Sequence, residues 1–157
     1  MQWADVLADP CLRNLPYKIE LDRYGNIIMS PASNRHGRFQ LWIGSFLERS
    51  LGGEAISECS IDTPEGVKVA DVAWCSPGFT TRYGYQTPYP VAPEICVEVR
   101  SPSNSREEMA GKTALYLQQG AQEVWIVIET GEVRFFGPDG EQSSSRFGID
   151  PRPELMH

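Results

Sequence analysis

The stretch Ile95-Cys96-Val97-Glu98-Val99-Arg100-Ser101-Pro102-Ser103-Asn104, together with Val124-Trp125-Ile126-Val127-Ile128 beyond it, decides the fold. Residues 95–99 are a β-rich run. Asn104 with Glu107 three positions on has the form of a capping box, and the helix it opens runs to about Gln119, where Gly120 supplies a C-terminal cap. Residues 124–128 are a second β-rich run. Strand, helix and strand joined at this length form a β-α-β crossover, which makes the two strands parallel neighbours or near-neighbours in one sheet. The fold class is therefore α/β.

Reading outward, Glu129-Thr130-Gly131-Glu132 turns the chain back into 133–136, a hairpin expected at the sheet edge. From Gly137 the composition is polar with Gly and Pro, so 137–157 reads as a loosely held tail. Upstream, 54–59 and 67–75 are strand-like runs on either side of the turn signal Asp62-Thr63-Pro64-Glu65-Gly66, and antiparallel pairing is the simplest arrangement. Residues 76–93, with Pro77, Pro88, Pro90 and Pro93 among Tyr83, Tyr85 and Tyr89, read as a long irregular loop. Before these strands, Ser33 or Asn34 caps a helix whose Phe39, Trp42, Ile43 and Phe46 recur at helical spacing, and Gly52-Gly53 stops it. Residues 17–21 and 26–29 flank Asp22-Arg23-Tyr24-Gly25 as a hairpin that ends at Ser30-Pro31-Ala32. Residues 1–16, carrying Pro10 and Pro16, form an N-terminal arm with a short helix at 3–7. One domain, 17–136, is thus bracketed by an arm and a tail.

Composition bounds the function. A chain of 157 residues, 41% hydrophobic and 22% charged, suits one globular domain that buries a core without disulfides or a structural metal. No apolar run approaches the roughly 20 residues of a membrane helix, and Met1-Gln2-Trp3-Ala4-Asp5 lacks the regions of a signal peptide, so a cytoplasmic chain without membrane contact is expected. Cys11, Cys59, Cys75 and Cys96 include no C-x-x-C pair and read as reduced thiols. With His36 and His157 the only histidines, a zinc site or a two-histidine relay is not expected. The net charge of −7 argues against a protein held on phosphates by bulk attraction.

Three ionisable residues stand where a core wants apolar ones. Asp71 interrupts the row Val67, Val69, Ala73; Glu98 shares a strand face with Cys96 and Arg100; Lys112 shares a helical stripe with Met109 and Tyr116. Buried charges occur paired, hydrogen-bonded or metal-bound. Two adjacent carboxylates repel, which a divalent cation relieves, and hard oxygen ligands suit Mg²⁺ or Mn²⁺. A nearby ammonium then orients water or neutralises charge on a phosphate. The other reading is structural: Asp71 bonds a turn, Glu98 pairs with Arg100, and Lys112 snorkels to solvent along Tyr116.

Gly25-Asn26-Ile27-Ile28-Met29-Ser30-Pro31 followed by His36, Val69-Ala70-Asp71-Val72-Ala73, Pro93-Glu94 with the block 95–103, then Lys112, Tyr116, Gly120 and Glu123-Val124-Trp125-Ile126-Val127 resemble, in that order, the Uma-type family of restriction endonucleases, within the PD-(D/E)XK nuclease-like superfamily. The resemblance covers about 17–136 and implies a restriction-endonuclease-like core: a mixed β-sheet flanked by helices, with an N-terminal hairpin. It implies that Asp71 and Glu98, 27 positions apart, hold the metal. Lys112 resembles the family's lysine moved from strand to helix, Glu20 an upstream acid at the same site, and His36 a recurrent histidine at the start of the long helix. Ala70 departs from the family's proline. Arg100 stands where Glu-x-Lys carries lysine; always protonated, it suits binding a phosphate or anchoring Glu98.

The expectation is a Mg²⁺- or Mn²⁺-dependent endonuclease that hydrolyses DNA phosphodiester bonds as a homodimer. In it Asp71, Glu98, Lys112, Glu20 and His36 are the catalytic residues, with Asp71 and Glu98 the metal ligands and Lys112 assisting water attack, and Arg100 binds substrate. The aromatic segment 80–89 would serve the dimer interface or contact bases. The alternatives are a catalytically weak or inactive nuclease-fold module for binding or regulation, and an enzyme for RNA or small phosphoesters. No helix-turn-helix or zinc-finger pattern supplies a separate DNA-reading domain. Committing Glu20, Asp71 and Glu98 to a metal lowers the repulsion that −7 implies at the site itself.

Overall fold

In the computed structural model, which describes residues 1–13, 15, 17–101 and 104–155, the chain runs through a short helix α1 (Trp3–Ala8), a hairpin of β1 (Tyr17–Leu21) and β2 (Ile27–Pro31), and a long helix α2 (Asn34–Leu51). Then follow β3 (Glu54–Thr63), β4 (Gly66–Cys75), α3 (Pro77–Tyr83), β5 (Ile95–Arg100), α4 (Arg106–Gln118), β6 (Glu123–Ile128), β7 (Val133–Gly137), β8 (Gly140–Gln142) and α5 (Arg152–Leu155). Pro16 of the expected arm, Pro102 and Ser103 of the deciding stretch, and His157 lie outside the described residues.

The expected crossover is present: β5 and β6 are adjacent and parallel, paired from Ile95↔Glu123 to Arg100↔Ile128. They form the middle of a six-stranded sheet ordered β3-β4-β5-β6-β7-β8, antiparallel at every other junction. This is a mixed sheet flanked by helices, with the β1–β2 hairpin as a separate two-stranded sheet. Strand alternation divides the core. Val72, Val97 and Trp125 meet Phe39, Ile43 and Leu47 of α2, whereas Ala73, Cys96 and Val124 meet Met109 and Tyr116 of α4.

Four expectations need correction. The helix cap is Ser105 and Glu108, one residue later than Asn104 and Glu107: Ser105 Oγ accepts from the Glu108 N–H at 3.0 Å, while Asn104 Oδ1 accepts from the Ser101 N–H. The segment after β4 is not irregular throughout, since Ser76 caps α3 and Pro77 occupies its first turn, where a missing N–H costs nothing. β7 is not the sheet edge, because β8 pairs beyond it. Residues beyond Gly137 are not a loose tail over their described length. Glu123, fully buried, accepts hydrogen bonds from the Trp125 indole, Gln142 Nε2 and the Arg146 N–H, which tie the segment to β6. Leu155 of α5 then enters the α2-side core.

The hairpin is docked by its tip. Val6, Leu21 and Val67 form a small cluster joining α1, β1 and β4. Gly66, at φ 97°, lies so close to the backbone of Leu21 and Asp22 that a Cβ there would collide with it. This contact lays β1 against β4 and brings its alternate residues over the sheet.

Candidate active site

The site lies where β4 and β5 part. Their pairing comprises Trp74↔Ile95, Ala73↔Cys96 and Val72↔Val97, and the next position on each strand is Asp71 and Glu98. Asp71 takes over a backbone acceptor's task there: its Oδ2 accepts from the Val99 N–H at 2.7 Å. Each carboxylate is 1% exposed, so both are desolvated and need partners.

Those partners form an alternating row of acids and bases. Glu20 Oε1 lies 2.8 Å from Lys112 Nζ, which lies 3.6 Å from Glu98 Oε1. Glu98 Oε2 lies 3.2 Å from Lys18 Nζ, which lies 3.1 Å from Asp71 Oδ1, and that oxygen is 3.1 Å from His36 Nε2. The remaining oxygens are also satisfied. Glu20 Oε2 accepts from the Val69 N–H at 2.7 Å, and Glu98 Oε1 accepts from the Tyr116 hydroxyl at 2.7 Å.

Secondary structure explains each placement. Lys18 and Glu20 are two apart on β1 and so share a face, while Ile19 and Leu21 turn toward the α1 cluster. Met109, Lys112, Thr113 and Tyr116 are the buried stripe of α4, spaced to face the sheet. His36 sits in the first turn of α2, fixed by Ser33 Oγ accepting its N–H at 3.0 Å. Gln40, one turn on, donates to the Asp71 carbonyl at 2.9 Å and to Glu58 Oε1 at 2.7 Å.

Identical residue types behave differently here. Burial raises Glu98, and the charges of Lys112 and Lys18 offset this only in part, leaving it pushed up to about 7. Burial opposes ionisation of Asp71 too, but Lys18, His36 and the Val99 N–H hold it well below the usual carboxylate range. Glu20 is likewise lowered against its burial by Lys18 and Lys112. Burial pulls Lys18 down, yet Glu98, Asp71 and Glu20 raise it well above the ordinary lysine value. His36 is raised against its burial by its bond to Asp71. A carboxylate that shares its proton readily beside one that stays ionised is a division of labour found in hydrolytic sites.

A family model, Uma2, "Putative restriction endonuclease", matches residues 3–155. The chain belongs to the Uma2 family. The Uma2 chain is also similar to a crystal structure of "a putative nuclease belonging to DUF820" from Anabaena variabilis ATCC 29413, with a TM-score of 0.70 and 16% identity over 100% of this chain and 93% of that one. That likeness is one of fold. Comparison with curated proteins gives no match.

In this Uma2 chain the structure brings together Asp71, Glu98, Lys112, Glu20 and His36. It leaves Arg100 outside, with its guanidinium Nε donating to the Asn104 carbonyl at 3.3 Å; Glu98 is paired to lysines and not to Arg100. Arg100 instead lines a neighbouring depression with Arg35, Ser101 and Ile128. Three participants were not legible as such. Lys18 was hidden in a strand read for its apolar residues, although its spacing from Glu20 was the available signal. Tyr116 stands out in the sequence as a packing residue and as part of the family pattern, but not as a donor to Glu98. Glu58, at φ 52° in β3, has no sequence signal, yet one of its oxygens lies with His36 and Asp71 ligand atoms within 4.8 Å of one another.

The donor set that fits a hard divalent cation is Asp71, His36 and Glu58, whose ligand atoms lie within 4.8 Å of one another; Asp71 and Glu98 direct carboxylate oxygens onto a second point, which the Lys18 ammonium holds. A narrow cavity of about 20 Å³, room for one water, reaches this second point past Ser30, Ser101 and Asn104.

Proposed function

We propose that this chain hydrolyses DNA phosphodiester bonds as a Mg²⁺- or Mn²⁺-dependent endonuclease. The observation that supports the reading is that Asp71 and Glu98, side by side where β4 and β5 part, direct carboxylate oxygens onto one point, held here by the Lys18 ammonium. Asp71 and Glu98 hold the divalent ion, which when bound supplies Lewis-acid stabilisation of a phosphate oxygen. Lys112, anchored by Glu20 at 2.8 Å, orients the attacking water and offsets charge that builds on the phosphate. Water adds to phosphorus and one P–O ester bond breaks, leaving a phosphate and an alcohol. His36 and Tyr116 fix the orientation of Asp71 and Glu98. Arg100, with Arg35 in the adjoining depression, binds a flanking phosphate.

Buried free thiols at Cys59, Cys75 and Cys96 suit the reducing cytoplasm, and no helix among the described residues is long and apolar enough to cross a membrane. A homodimer matches the two-fold symmetry of a duplex, and sedimentation as a strict monomer would remove that part of the reading. The enzymatic reading is tested with plasmid and oligonucleotide DNA in Mg²⁺, Mn²⁺ or EDTA. Cleavage is expected with either metal and absent in EDTA, in Asp71→Asn and in Glu98→Gln; cleavage by both variants at the parental rate rejects it.

A second reading has its own support. Every acid of the row already has a basic partner, so the charge of the three carboxylates is largely offset without a metal, as an inert binding or regulatory module of nuclease fold would require. Such a module binds no Mn²⁺ in calorimetry.

A further inference from the structure

The Lys18 ammonium occupies an unusual place. It bridges Asp71 Oδ1 at 3.1 Å and Glu98 Oε2 at 3.2 Å, with its side chain only 8% exposed. A lysine that served a nuclease by orienting water would stand beside the paired carboxylates, as Lys112 does at 3.6 Å from Glu98 with its main bond to Glu20. Lys18 stands between them. It comes from the β1–β2 hairpin, a separate two-stranded sheet docked against β4 through the small cluster of Val6, Leu21 and Val67.

We propose that Lys18 is a built-in competitor for the divalent cation: its ammonium holds the point where Asp71 and Glu98 converge, and the cation binds there only as Lys18 leaves. This rests on the metal-dependent reading above. Two cations cannot share that point, because each would sit within a few ångströms of the other inside a poorly solvated pocket. Lys18 therefore weakens metal binding by the free energy needed to move its charge. In the metal-free protein it also supplies Asp71 and Glu98 with a shared counterion inside the pocket. The arrangement explains how an acidic, desolvated site persists in a folded chain before metal arrives. It also couples metal occupancy to the hairpin, since Glu20, the anchor of Lys112, lies two residues from Lys18 on the same strand face.

The test is Mn²⁺ titration by calorimetry of the full chain, of Lys18→Met, Asp71→Asn and Glu58→Gln, and of Lys18→Met/Asp71→Asn. Lys18→Met is expected to bind Mn²⁺ at least about tenfold more tightly than the parent, an expectation set by the removal of one nearby charge in a medium of intermediate dielectric. The double variant is expected not to bind. Equal or weaker binding by Lys18→Met overturns the proposal; if parental binding is still lost in Asp71→Asn, the metal-dependent reading survives that result. Loss of parental binding in Glu58→Gln, with Lys18→Met unchanged, also overturns it, by placing the ion with His36, Glu58 and Asp71. Absence of Mn²⁺ binding from parent and Lys18→Met alike removes both readings. Should Lys18→Met fail to fold, the parent decides: the ¹⁵N ammonium resonance of Lys18, assigned by its disappearance in Lys18→Arg, must shift or vanish when saturating Mg²⁺ is added. A resonance unchanged at calorimetric saturation overturns the proposal.

Discussion

Asp71 Oδ2 accepts the Val99 N–H at 2.7 Å, so a side chain of β4 satisfies an amide of β5 just beyond the last backbone pair of the two strands. The same carboxylate binds Lys18 and His36 through Oδ1. It thus supports the sheet junction and the site together. Asp71→Asn places an amide donor among these donors and leaves Lys18 without one of its two counterions. Breaking a buried pair in this way costs about 3–5 kcal/mol. Urea unfolding in EDTA, which removes any metal contribution, should show a correspondingly lower midpoint; an unchanged midpoint would mean that Asp71 carries no structural load.

The pH dependence of stability follows from Glu98 and His36. Glu98 is pushed up to about 7, so the folded protein holds this proton more tightly than the unfolded chain does. Its stabilisation is complete below the ordinary glutamate value and is lost as pH rises toward about 7. His36, also raised, contributes below the ordinary histidine value and loses its contribution as pH passes the raised one. Asp71 and Glu20, both lowered, act oppositely: their contribution is present above the ordinary carboxylate values and is lost on acidification. Metal-free protein should therefore melt lower at pH 8 than at pH 5.5. In Glu98→Gln that difference should shrink to the part His36 and general charge repulsion supply, and an undiminished difference would show that Glu98 does not titrate in this range.

Tyr116 is the neutral partner in the row. Its hydroxyl donates to Glu98 Oε1 at 2.7 Å, with both groups fully buried. Tyr116→Phe keeps the ring packed against the α4-side core and deletes only that donor. Hydrogen bonds to charged groups contribute about 1.5–3 kcal/mol, and a loss of that size is expected in thermal or urea unfolding. Mn²⁺ affinity should fall along with activity, because Tyr116 orients the proposed metal ligand Glu98. Unchanged Mn²⁺ affinity would show that Tyr116 does not act through a metal ligand.

The elements legible in the sequence are those whose local signals agree with their tertiary role. β5, α4 and β6 combine apolar strands, a capped helix and a glycine stop, and α2 has its Ser33 cap and its apolar stripe. α3 is masked in the sequence by the prolines that follow it, although Pro77 in a first turn is a starter and not a breaker. The capping box slipped by one because Asn104-x-x-Glu107 and Ser105-x-x-Glu108 are equivalent on paper; only the contacts of Asn104 with Ser101 separate them. At the site, Asp71, Glu98 and Lys112 were visible as charges in apolar rows. Lys18 was not, because its strand is exposed at Tyr17 and half-buried at Ile19 and offers no uniform row to interrupt. Glu58 depends on a backbone conformation that no residue type at that position announces.

The C-terminal segment supplies a final expectation that separates stability from chemistry. Leu155, 3% exposed, enters the core with Phe39, Ile43 and Leu47, while Glu98 and Tyr116 lie on the α4 face of the sheet. A loose tail would tolerate its truncation at no cost. Instead Leu155→Ala deletes a buried side chain at a site walled by α2, where collapse to fill the cavity is restricted, and about 2–5 kcal/mol should be lost. Glu123, which anchors the same segment through Gln142 and the Arg146 amide, keeps its bonds in this variant, so β8 remains paired. Mn²⁺ affinity of the folded Leu155→Ala protein, measured well below its melting temperature, should equal that of the parent. A stability loss within about 0.5 kcal/mol, the range of ordinary surface substitutions, would return 137–157 to the status of an unanchored tail.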